Sequence, residues 1–184
     1  MPIERSLIDH CAPTLAGLKT GSLFAFLAPL SQALLEEIRA VNGPLITKGL
    51  ELRPVRALGD RTLCYLYRKS QLTAMLGDEP CAAFLRSLGY EVLDAQGALA
   101  TLMAKLRGNA GFPHEIGLFL GYPLGDVLGF IEHEGKDCLC CGLWKAYTDP
   151  CAAQRCFDRC AKCTSVYRRL YESGRPLCKL AVSR

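Results

Sequence analysis

Leu30, Leu34, Leu35 and Ile38 recur three and four residues apart, with Glu36, Glu37 and Arg39 on the other side. That spacing predicts an amphipathic helix from Pro29 to Val41, stopped by Asn42-Gly43-Pro44. The period then changes. Leu63, Tyr65 and Tyr67 alternate with Cys64, Leu66 and Arg68, and Gly59-Asp60 separates this run from ELRPVRAL, the signature of a β-hairpin. Pro54 makes the first arm an edge or irregular strand, because proline cannot donate to a ladder.

Upstream, the pattern gives a short helix over residues 3–10 and a second from Pro13 to about Lys19, with Pro13 in its first turn. Ser22–Phe26 follows as a strand. Downstream come helices over Ser70–Leu76, Glu79–Leu88 and Ala95–Leu106. Glu115–Leu120 is an apolar run that predicts a core strand, turned at Gly121-Tyr122 into a helix opened by Pro123 and ended at Gly135. Leu139–Tyr147 predicts another strand, and Asp149-Pro150 caps a long helix to about Tyr171. Leu177–Val182 predicts the last strand. The elements lack regular βαβ spacing, so the reading is a single α+β domain, residues 1–184, with a mixed central sheet, helices packed on it and a long C-terminal helix.

Composition narrows the class. Half of the 184 residues are apolar and 22% are charged, which is ordinary for a globular chain. No apolar run reaches the ~18 residues of a spanning helix, and MPIERSLIDH lacks the layout of a signal peptide, so the expectation is a cytoplasmic protein without a membrane partner. There are eleven cysteines, an odd number that cannot pair off completely within one chain. In a reducing compartment they remain thiols: buried fillers, metal ligands or a nucleophile. The net charge of +4 comes from residues 151–184, where eight Lys and Arg face only Asp158 and Glu172. This basic helix is a solvated face or a dock for an acidic partner. Nucleic acid is disfavoured, since no recognised motif or aromatic-interleaved basic run is present.

Three constellations could carry chemistry. Cys11 stands just ahead of the helix opened by Pro13, where the dipole favours a thiolate. With His114 as base and Glu115 or Asp126 as orienting acid, it would make a thiol centre acting on a small or anionic substrate. The alternative is that Cys11 is a core residue and His114 a turn residue. The second constellation is Cys138-x2-Cys141 with Cys160-x2-Cys163, separated by 18 residues, which fits a zinc or iron–sulfur site by spacing. Against it, Cys156, Cys160 and Cys163 recur at i, i+4 and i+7 within a predicted helix, the pattern of core packing. The third is Trp144-Lys145-x-Tyr147. On a strand, Cys141, Lys145 and Tyr147 share a face and, with Lys19 and Tyr122, could hold an anionic ligand.

HCAPTLAGLKTGSLF, FPHEIGLFLGYPLGDVLGFIE and CGLWKAY, in this order, resemble one uncharacterised bacterial family, a domain of unknown function found largely in anaerobes. The resemblance spans nearly the whole chain. It implies a small cytoplasmic single-domain protein and no particular reaction. It marks Cys11, Lys19, His114, Glu115, Tyr122, Asp126, Cys141, Trp144, Lys145 and Tyr147, while Cys138, Cys140 and Cys160 lie outside the family pattern.

Overall fold

In the computed structural model, which describes residues 3–108 and 111–183, the expected hairpin is the centre of the fold. Gly59 takes a φ of +63° and joins β2 (Leu50–Leu58) to β3 (Arg61–Arg68). Their register slips between Pro54 and Arg56, so the proline's missing donor coincides with a bulge. β1 (Gly21–Phe26) pairs with the other edge of β3, giving the order β1-β3-β2. This sheet is antiparallel throughout rather than mixed.

Strand alternation divides the core in two. Phe24, Phe26, Leu50, Leu52, Cys64 and Leu66 face one layer, formed by α1 (Ile3–Leu15), α2 (Gln32–Ile46), the end of α8 (Pro150–Glu172) and α9 (Leu177–Leu180). Tyr65, Tyr67 and, at the bulge, Val55 face the other layer. There lie α3 (Lys69–Gly77), α4 (Glu79–Ser87), α5 (Ala95–Arg107), α6 (Ile116–Phe119) and α7 (Leu124–Glu132). Val55 continues the alternation of Glu51 and Arg53, the register partners of Tyr67 and Tyr65, and so faces away from Leu50 and Leu52. The α+β class and the long C-terminal helix are both present.

Several local expectations are overturned for definable reasons. The two N-terminal helices are one: α1 runs through Pro13, and the Asp9 carbonyl that proline leaves without its helical donor has the Arg168 guanidinium at 3.5 Å. Gly17, with φ +75°, ends it. α2 begins later than Pro29, at a Ser31 cap, and continues past Asn42-Gly43-Pro44. The Asn42 amide acts there as a strand neighbour, donating to the Leu52 carbonyl and accepting from the Leu52 N–H, both at 2.8 Å.

Three expected strands differ. Glu115–Leu120 holds the helical turn α6, and Leu177–Val182 holds α9. Leu139–Tyr147 is a bent hairpin of two-residue strands, β4 (Cys140–Cys141) and β5 (Lys145–Ala146). Short apolar runs carry no period long enough to separate strand from buried helix, and without these segments the sheet has no parallel member. α6 lies on the sheet because Gly21 leaves room for Tyr65: a Cβ there would sit 2.6 Å from the Tyr65 hydroxyl. That hydroxyl donates to the Phe119 carbonyl at 2.6 Å.

Asn42→Ala removes one acceptor and one donor from a strand edge that nothing else satisfies. The unfolding free energy should fall by about 2 kcal/mol in a urea titration with unchanged m-value. A change under about 0.5 kcal/mol would mean that water replaces the amide without loss.

Candidate functional site

The second layer ends in a cavity of about 430 Å³ between α6, α7 and the β4–β5 hairpin. Its position is fixed by two buried carboxylates. Glu115 accepts from the Lys105 ammonium at 2.8 Å and from the Tyr90 hydroxyl at 3.2 Å, which ties the start of α6 to α5. His114, one residue earlier, is left exposed at the cavity, with its ring 5.1 Å from that of Phe130.

Asp126 occupies the first turn of α7 and is only 3% exposed. One of its oxygens accepts from the backbone N–H groups of Tyr147 and Thr148 at 2.8 and 2.9 Å and from the Thr148 hydroxyl at 2.8 Å. The other accepts from the Trp144 indole at 2.7 Å. Burial alone would raise this carboxyl, but these donors outweigh it and hold Asp126 below the usual carboxylate range. Gly129 allows the close approach: a Cβ there would be 2.6 Å from the Tyr147 side chain. The hairpin is therefore clamped to α7.

The clamp builds an aromatic wall. Tyr122 stacks on Trp144 with ring centroids 4.9 Å apart, and Trp144 meets the edge of Phe157 from α8 at 4.6 Å. The Tyr122 hydroxyl donates to the Leu143 carbonyl at 3.0 Å. Lys19 does not line the cavity; its ammonium lies 5.2 Å from the centre of the Tyr122 ring, and burial lowers its pKa.

Lys145 and Cys141 complete the lining. They are register partners across β4 and β5, so their side chains leave the same face, with Cβ atoms about 5 Å apart as in any antiparallel pair. The Lys145 ammonium donates to the Gly135 carbonyl at 2.5 Å and, among the described residues, pairs with no carboxylate.

The expected constellations are thus partly assembled. His114, Tyr122, Asp126, Cys141 and Lys145 share one cavity. Cys11 does not join them. It lies inside α1 rather than before a helix, is 0% exposed, and packs in the layer on the far side of the sheet from His114. Burial pushes its thiol far above the ordinary range. Asp126 and Glu115 are both committed to other donors, so neither orients His114. Tyr147 gives Asp126 a backbone donor while its ring stacks on His133 at 5.4 Å, and its buried hydroxyl has no partner among the described residues.

Cys138 and Cys163 are half-buried, Cys141 is exposed and Cys160 is buried in α8, where burial and the adjacent Cys156 push its thiol up to about 11. Among the described residues no group of three or more His, Cys, Asp or Glu side chains is placed to hold a metal, so the four-cysteine set is not gathered. Sequence reading missed Phe130 as a wall and Lys105 as the partner of Glu115. The only available signal for Phe130 was its place four residues after Asp126 in the apolar stretch of α7.

The fold and cavity define a small α+β domain with a largely apolar pocket held by a carboxylate clamp. The chain belongs to the family described as protein of unknown function (DUF3793), which it matches over residues 7–181. None of the curated proteins or solved structures compared with the chain matches it. Among the described residues no helix is long and apolar enough to cross a membrane.

Two outcomes follow from the clamp and from Cys11. The folded Asp126 carboxyl ionises below the unfolded one at about 3.9, so its bonds contribute stability fully above about pH 5 and lose it as pH falls. Asp126→Asn should cost about 3 kcal/mol near neutrality and reduce the loss of stability between about pH 5 and pH 3. An unchanged acid slope would assign that loss to other carboxylates. Cys11 should resist iodoacetamide in the folded protein and react only with global unfolding. Native-state labelling at the rate of Cys141 would contradict its burial.

Proposed function

We propose that the cavity binds a small, largely apolar molecule carrying one anionic group. The observation that supports this reading is Lys145: a half-buried cation in an apolar, ring-lined cavity, with a backbone carbonyl and, among the described residues, no carboxylate as its partner. A desolvated charge is costly unless it is paired, and Asp126, which lines the same cavity, already accepts four hydrogen bonds from the hairpin. A bound carboxylate or similar anion supplies the missing counter-charge. Tyr122, Trp144 and Phe130 offer faces for a flat apolar body, and the volume lies within the range of ligand pockets, roughly 300–1,000 Å³. Cys141 lines this cavity and can meet such a ligand, whereas Cys11 is buried on the other side of the sheet.

Trp144 is the chain's one tryptophan and it lines the cavity, so its fluorescence reads binding directly. Benzoylpropionate, an aryl ketone acid, should quench it saturably, and the corresponding amide should bind at least about 10-fold more weakly, the value of one charge-assisted contact. Lys145→Met should remove the difference between acid and amide while leaving the unfolding midpoint within a few degrees. Equal binding of acid and amide to the unaltered protein, or no saturable quench, would overturn the reading.

A further inference from the structure

We propose that Cys141 is a nucleophile for ligands of this cavity and that the ligand class it acts on is an α,β-unsaturated carbonyl acid. The inference rests on the binding reading and goes beyond it by naming a reaction. Cys141 and Lys145 face each other across the β4–β5 ladder. Both side chains leave the same face of the ladder and line the same cavity, so an anion seated on the Lys145 ammonium shares that cavity with the Cys141 sulfur. Cys141 is exposed to the cavity rather than buried behind it, which sets it apart from Cys11, Cys64 and Cys160. His114 belongs to the same cavity, and among the described residues no hydrogen bond to another side chain commits its ring, which packs against Phe130.

The step is an addition and balances without an oxidant or a leaving group. The S–H bond breaks and an S–C bond forms at the alkene carbon. The π pair of the C=C bond moves onto the conjugated carbonyl as an enolate. That enolate takes back one proton at carbon, with His114 as carrier, so one S–H and one C=C are replaced by one S–C and one C–H. The apolar rings favour the conjugated body, and Lys145 holds the acid end. Lys145 is a positioning residue, since it acts by seating the anion.

The probe is trans-benzoylacrylate, the unsaturated counterpart of benzoylpropionate, added in slight excess to the reduced full-length protein, with adducts located by peptide mass mapping. Cys151 supplies an internal reference: it is exposed, in the first turn of α8, and outside the cavity. Addition at Cys141 should be at least about 10-fold faster than at Cys151. Excess benzoylpropionate should slow Cys141 and leave Cys151 untouched. Lys145→Met should bring Cys141 down toward the Cys151 rate, with unmodified Cys11 showing that the variant is folded. Equal rates at the two thiols, or no protection by benzoylpropionate, would overturn the proposal. If benzoylpropionate still quenches Trp144 saturably while the rates are equal, the covalent step alone falls; if it does not quench, the binding reading falls and takes the step with it.

Discussion

The Asp126 carboxylate is the constraint on which the site depends. A buried anion is unstable unless donors replace the water it lost. This one collects two backbone N–H groups, a hydroxyl and an indole from a five-residue stretch of the following hairpin. It also stands in the first turn of α7, where the helix dipole favours negative charge. The effect is to weld Trp144 through Thr148 to α7. Without that weld, a hairpin with only two residues per strand has too few ladder bonds to persist. Trp144 then becomes the middle of the stack from Tyr122 to Phe157, so one carboxylate determines both the hairpin and the aromatic wall.

A second buried charge performs the equivalent service for the fold. Arg68, at the end of β3 and 0% exposed, donates to the carbonyls of Thr14 and Leu15 at the end of α1 and to that of Val182 near the C-terminus. The orphan carbonyls of a helix end and the negative end of its dipole receive a guanidinium, so a cation is accommodated in the interior by backbone groups. The sheet edge, α1 and the chain terminus meet there. Tyr65, on the opposite face of the same strand, reaches the Phe119 carbonyl and so carries the central strand's position to α6 and the cavity.

What was legible in the sequence follows from what each signal measures. The β2–β3 hairpin was readable because its turn and its alternation are both local. So was α8, whose Asp149 side chain accepts from the Ala152 N–H as an N-cap should. Misplaced elements are those in which a distant partner overrides a local stop. Asn42 reads as a breaker until the β2 edge is there to receive its amide. Pro13 reads as a helix start until Arg168 lies beside the carbonyl it frees. The site was half legible for the same reason. Polar residues of the central stretch do converge, but which face of the sheet Cys11 occupies is a property of the three-strand register, which no single segment contains.

The two charged groups of the cavity differ in a way that bears on function. Asp126 is held by four hydrogen bonds from the hairpin and forms no ion pair with Lys145. Lys145 retains donor capacity, because an ammonium has three hydrogens and one is given to Gly135. The same asymmetry continues outside. Arg155, Arg159 and Lys162 lie exposed on α8 without carboxylate partners among the described residues, whereas Arg168 is paired with Asp9. These cations share the helix with Asp158, and any steering of an anion they give weakens with added salt. The cavity thus holds its negative group in four bonds to the hairpin, while its positive group keeps donor capacity.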